Sequence, residues 1–92
     1  SSFKKFVNIS ISKKMNDLLI EISTLDHPGL LSKICESFDS CDLMVKDAKI
    51  STLGEEANDI FVVFPFEKNK DFSSKNIDEL KSKIKLKISE LY

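Results

Sequence analysis

Residues 18–31 read LLIEISTLDHPGLL, a stretch that decides the fold because it combines a strand, a polar turn and a helix start. Its first five residues are mostly apolar and branched, as is typical of a buried β-strand. Asp26 can accept hydrogen bonds from the amides of the next turn, and the backbone of Pro28 suits a first helical turn. Gly29 has no Cβ, so a ligand or another segment can approach its backbone. The stretch therefore predicts backbone N–H groups gathered at one point.

These N–H groups allow two interpretations. Helix N-termini attract anions, so a free carboxylate could bind to the amides between Pro28 and Leu31. An Asp-X-Pro-Gly turn before an apolar helix is also ordinary capping chemistry, which needs no ligand. The four residues of the turn leave both interpretations open.

The composition limits the classes of function. The chain has 92 residues, enough for one domain, a formal net charge of −1, and lysine as its only basic residue besides one histidine. Without arginine there is no bidentate fork for phosphates or guanine edges, so nucleic-acid binding is not expected. Two separated cysteines, Cys35 and Cys41, predict neither a disulfide nor a metal site, and they fit a reducing, cytoplasmic compartment.

The ends and the hydropathy of the chain carry two further expectations. The sequence has no apolar run of membrane-spanning length and no signal peptide, so no membrane association is predicted. It begins SSFKK without an initiator methionine, which indicates a segment of a longer protein.

Periodic segments predict the order strand, strand, helix, strand, strand, helix. The predicted strands are residues 6–12, 18–24, 43–53 and 57–66, the helices 28–40 and 76–91, with a hairpin connection at 13–17 and a polar loop at 68–74. This order, ββαββα, is a ferredoxin-like α+β arrangement in which two helices cover one face of a four-stranded antiparallel sheet. The first strand is expected at an edge beside the second. Residues 57–66 are apolar on both faces, so we expect another domain or another copy to cover the open face.

Three local predictions concern single side chains. Cys35 is expected to pack against the sheet. Asp59 is expected to pair with Lys49 across neighbouring strands. Asn76 and Glu79 have the spacing of a capping box at the start of the second helix.

Three motifs taken together resemble the ACT domain, a small regulatory module that commonly binds amino acids. They are EISTLDHPGLL at residues 21–31, AKISTLGE at 48–55 and DIF at 59–61. More narrowly, they are similar to the C-terminal ACT domain of the bacterial protein-PII uridylyltransferases, which also remove uridylyl groups. The match covers about residues 6–91. His27 stands where this family usually has arginine, which removes a permanent charge from the turn, and Val62 stands where it has tyrosine.

The resemblance implies a non-catalytic regulatory domain that senses a free amino acid, glutamine in this family, and controls a protein-PII uridylyltransferase in nitrogen regulation. It implies no cofactor. The implied partners are the amino acid, a second ACT domain and the catalytic domains of a parent enzyme. The implied ligand-binding residues are Asp26, His27, Pro28, Gly29, Leu30 and Leu31 of the turn, with Lys49 and Ile50 on the far wall of the pocket.

Two other classes of function compete with this one. An interaction or dimerisation module that binds no small molecule stays open as the alternative. A small acylphosphatase-type hydrolase on the same scaffold would need an arginine and a phosphate cradle, and the chain has no arginine. His27 has no nucleophile or second acid near it in the sequence, so no catalytic residue is predicted.

Overall fold

The computed structural model describes residues 7–68 and 71–92, so positions 6, 69 and 70 of the predicted strand and loop lie outside the described residues. The elements in chain order are β1 (Val7–Lys14), β2 (Asp17–Leu25), α1 (Leu30–Ser40), β3 (Leu43–Lys49), β4 (Thr52–Leu53), β5 (Glu56–Pro65) and α2 (Ser74–Ser89). The order is therefore ββαβββα. Neither described helix is long and apolar enough to cross a membrane.

The strands form one antiparallel sheet in the order β1-β2-β5-β3, with the short β4 paired to β5. The predicted hairpin is confirmed: β1 and β2 are joined by a turn at Met15 and Asn16, and β1 lies at the edge. Met15 has a φ of 59°, which lets so short a turn reverse the chain.

Both helices pack on the same face of this sheet, because alternate strand residues are apolar there. The rings of Phe38 on α1 and Phe61 on β5 meet edge to face with centroids 5.1 Å apart. Burying a side chain of this size contributes about 1.5–3 kcal/mol. The buried side chains that form the core with them include Leu18, Ile20, Ile22, Ile34, Val63, Leu80, Ile84 and Ile88.

The prediction of four strands is wrong at residues 43–53, where the structure has two strands, β3 and β4. Two hydrogen bonds to β5 hold the chain between β3 and β4. The Asp59 carboxylate accepts the Ser51 N–H at 3.2 Å, and the Ser51 carbonyl accepts the Asn58 N–H at 2.8 Å. Gly54, with a φ of 62°, then returns the chain into β5.

Two local predictions about the helices are also wrong. Cys35 is exposed, whereas Ser37 is buried with its hydroxyl donating to the Ile34 carbonyl at 2.6 Å. A serine that bonds to its own helix can enter a core without an unpaired group. Helix α2 begins at Ser74, because Ser73 is its N-cap and accepts the Asn76 N–H at 3.2 Å.

Candidate functional site

The candidate site is the turn between β2 and α1. The Asp26 N–H donates to the Glu55 carbonyl at 2.7 Å, which ties the start of the turn to the β4–β5 connection. The Leu30 N–H donates to the His27 carbonyl at 3.0 Å, which closes the turn at its other end. Gly29, the N-cap of α1, has a φ of 89°. This left-handed conformation suits glycine and explains why the helix begins at Leu30 and not at Pro28.

The first turn of α1 offers unpaired donors to solvent. The Lys33 N–H donates to the Gly29 carbonyl at 3.0 Å, but no acceptor among the described residues meets the N–H of Leu31 or Ser32. Asp26 accepts a hydrogen bond from an amide of the turn, as predicted: its Oδ1 accepts the His27 N–H at 3.0 Å, while no side chain caps the start of α1. Two free N–H groups at a helix N-terminus suit a carboxylate. The sequence does not identify Ser32 as a site residue, because it predicts a start of α1 at residue 28, two residues before the observed start.

The structure brings the six predicted turn residues together but holds the other two apart from them. Leu25, at the end of β2, pairs with Glu56, whereas Lys49 pairs with Ile60. These two partners are four positions apart on β5, which is about 13 Å along the strand. Lys49 and Ile50 are exposed on the far side of β5. Within one chain they do not line the turn.

The two residues that follow the end of α2, Leu91 and Tyr92, pack behind the β2–α1 turn, a contact that the sequence did not predict. The Tyr92 hydroxyl donates to the Leu25 carbonyl, and the Tyr92 ring meets the His27 ring edge-on with centroids 5.4 Å apart. A Cβ at Gly29 would lie 3.6 Å from Leu91 Cδ2. The His27 Nδ1–H donates to the Pro28 carbonyl at 2.7 Å. These contacts hold the turn from the core side and leave its outer side to solvent.

A family model described as "Plant bHLH transcription factor, ACT-like domain" matches residues 8–89, which is most of the chain. The chain is an ACT-like domain. The predicted resemblance to the ACT domain is thereby confirmed, and the match includes both the turn and the AKISTLGE segment. No solved structure matches the chain with significance.

Curated relatives of this ACT-like domain are bifunctional uridylyltransferase/uridylyl-removing enzymes. The protein from Acinetobacter baumannii strain AYE is 40% identical over 75 residues, which cover 82% of this chain and 8% of the relative. That from Hydrogenovibrio crunogenus is 51% identical over 53 residues, or 55% of this chain and 6% of the relative. The protein from Vibrio parahaemolyticus is 33% identical over 87 residues, which cover 95% of this chain and 10% of the relative. The chain spans at most about a tenth of these relatives.

Asp59 is the buried acid of this ACT-like domain, with 3% of its surface exposed. It lies on the helix face opposite Ile22, whereas Lys49 lies opposite Ile60 and therefore on the other face. The expected pairing of Asp59 with Lys49 is wrong for that reason. Burial raises the pKa of the Asp59 carboxyl above its ordinary value of 3.8, the Ser51 N–H opposes the shift, and the charge of Asp26 adds to it.

Proposed function

We propose that this ACT-like domain is a non-catalytic regulatory domain that binds a free amino acid at the turn between β2 and α1. The observation that carries the proposal is the pair of unpaired N–H groups on Leu31 and Ser32, at the solvent side of the turn. They would donate hydrogen bonds to the α-carboxylate of the ligand. The Asp26 carboxylate, exposed in the same turn, would bind its α-ammonium group. This polarity matches a zwitterionic amino acid.

The pocket is completed, in this proposal, by Lys49 and Ile50 of a neighbouring ACT-like module. Both side chains are exposed on an edge region of the sheet, where a second module can reach them. We also propose that the sheet of the single chain is ferredoxin-like, with β1 in the edge position that a final strand would otherwise occupy.

We further propose glutamine as the ligand, and a parent bifunctional uridylyltransferase/uridylyl-removing enzyme as the protein that the domain controls, in the cytoplasm and in nitrogen regulation. The similarity to segments of such enzymes supports the parent. Binding can change the activity of the parent only if the ligand has different affinities for two arrangements of its domains. A second module would allow two such arrangements, because the two modules could pair in different ways.

A specific observation also favours the alternative, an interaction module without a small ligand. The sheet face opposite the helices is apolar at its centre and partly exposed, with Ile60 at 37% and Met44 at 46% exposed. Leu19, Val62 and Phe64 are half-buried beside them. A face of this kind suits a partner surface.

Calorimetric titration of glutamine and a panel of other amino acids separates the two functions. It should be run on this chain and on a longer segment of the parent that carries a second module. Leu31→Pro removes one of the two free N–H groups at the second position of α1, where proline is tolerated. We expect it to weaken binding about tenfold or more, because one hydrogen bond to a charged group is lost.

Lys75→Pro is the matched control, because Lys75 holds the same second position in α2. It should cost similar stability and leave the affinity unchanged. If no amino acid binds to the longer segment, the sensing function is wrong and the interaction module stands. If Leu31→Pro binds as tightly as the wild type, the site is elsewhere.

A further inference from the structure

β1 is a regular edge strand of the described sheet. Within the described residues it pairs with β2 alone, and its eight residues keep an unbroken register. Such an edge presents outward N–H and C=O groups to which a further strand can add. The opposite edge, β3, has a register shift between Val45 and Asp47, and a bulge of this kind disfavours strand addition. β1 is therefore the better template.

A groove of about 310 Å³ lies along this edge, and two lysines of α2 face it. Lys81 and Lys85 are one helical turn apart, so they project on the same side. The ion pairs among the described residues use Lys13, Lys33, Lys46 and Lys87, and neither Lys81 nor Lys85 takes part in one. Two positive charges thus line the helix side of the groove, and neither forms an ion pair with a described residue.

We propose that an extended acidic segment of a partner protein adds to β1 as a new edge strand. Side chains of a strand point alternately to the two faces of a sheet. Those of the partner on the helix side would meet Lys81 and Lys85, so they are acidic. Those on the open side would meet Glu21, which lies opposite Ser10 in register, so they are neutral. The partner strand has acids at every second position.

A second copy of this chain does not fit this edge. Pairing β1 with β1 would bring Lys81 and Lys85 of both copies to the same side of the sheet. Like charges on the same side of the sheet oppose pairing, whereas acids favour it. The proposal does not rest on amino-acid binding at the turn, since β1 and α2 contribute no residue to the free amides.

The test uses a labelled, end-blocked peptide of eight residues in which Glu and Thr alternate. A peptide of the same composition with its glutamates consecutive cannot place them all on one face. We expect the alternating peptide to bind in fluorescence anisotropy and to slow hydrogen exchange at β1 amides. Lys81→Glu with Lys85→Glu should weaken binding about tenfold or more, as two partly exposed charge pairs are reversed.

Lys75→Glu with Lys83→Glu is the matched control, with the same change of charge in the same helix at a different surface groove. It should leave the affinity within about twofold, since distant exposed charges are screened. Equal weakening by both double variants would show general charge attraction and overturn the proposal. The same holds if the consecutive peptide binds as well, if exchange slows at β3 instead, or if the alternating peptide does not bind.

Discussion

The phenolic hydroxyl of Tyr92 donates a hydrogen bond to the backbone carbonyl of Leu25, the last residue of β2. These residues are 67 positions apart, so the bond joins the end of α2 to the beginning of the candidate ligand turn. The same hydroxyl lies 3.5 Å from Thr24 Oγ1, and the ring contacts His27. A change in the turn is therefore coupled to the position of α2, which is the element through which we expect ligand binding to be transmitted.

Tyr92→Phe should test this coupling, because it removes the hydroxyl and keeps the ring. We expect a loss of about 1 kcal/mol in the free energy of unfolding, typical of one hydrogen bond. We also expect changed amide NMR shifts at His27 and Gly29. Tyr92→Ala should cost more, since it also removes the ring contact. Urea denaturation measures the free energy of unfolding, and amide NMR spectra measure the shifts. A Tyr92→Phe variant with wild-type stability and unchanged shifts would contradict the coupling.

Ile34→Asp should unfold the domain. Ile34 is fully buried on α1, and an unpaired charge there costs several kcal/mol, about the whole stability of a small domain. Cys35→Asp is the control, because the neighbouring residue is exposed. Circular dichroism during heating should show a cooperative transition for the control and none for Ile34→Asp. A transition near the wild-type midpoint for Ile34→Asp would mean that α1 buries another face.

The parts of the fold that were predictable rest on local periodicity. Apolar runs of strand length in residues 18–24 and 57–66 predicted the central strands, which the structure has as β2 and β5. The break between β3 and β4 was not predictable, since it depends on the Asp59 side chain reaching Ser51 from another strand. The left-handed Gly29 shortened α1 in a way that apolar spacing does not record. The Tyr92 contact has no local signal at all.

Asp59 should make stability depend on pH. Burial, the largest cause, raises the pKa of Asp59 in the folded state, and Asp26 adds to the shift. The folded state therefore holds the Asp59 proton more tightly than the unfolded state does. The associated stability is present below the unfolded pKa, near 3.8, and is lost as pH rises through the higher folded pKa. At neutral pH the ionised carboxylate is a cost to folding.

Asp59→Asn should remove this dependence while its amide oxygen still accepts the Ser51 N–H. We expect the variant to be at least as stable as the wild type at neutral pH. Its stability should also lack the wild-type decline that begins near pH 4. Asp39→Asn, at an exposed position of α1, is the control. Urea denaturation across the acid range checks this, and a neutral-pH loss of stability specific to Asp59→Asn would show that the charge itself stabilises Ser51.

Four charged residues link α1 to the last turns of α2, beside the candidate site. Lys33 contacts Glu90 at 3.1 Å and Glu36 at 3.7 Å, and Lys87 contacts Glu36 at 3.6 Å and Glu90 at 3.7 Å. The hydrogen bond from Lys33 lowers the pKa of Glu90, and the same bond to Glu90 raises the pKa of Lys33. Glu90 contributes stability above its ordinary pKa, and this stability is lost as pH falls through the lowered pKa of the folded state. Lys33 contributes stability below its ordinary pKa, and this stability is lost as pH rises through the raised pKa of the folded state.

Glu90→Gln should therefore lower stability slightly at neutral pH, and the difference from the wild type should shrink both in acid and at high salt, where exposed charges are screened. Glu79→Gln is the control, because Glu79 is an exposed acid of the same helix that makes no ion pair with a described residue. Parallel urea denaturation at low and high salt measures the difference. A loss that persists unchanged at high salt would mean that Glu90 acts through packing of the last turn of α2 and not through its charge.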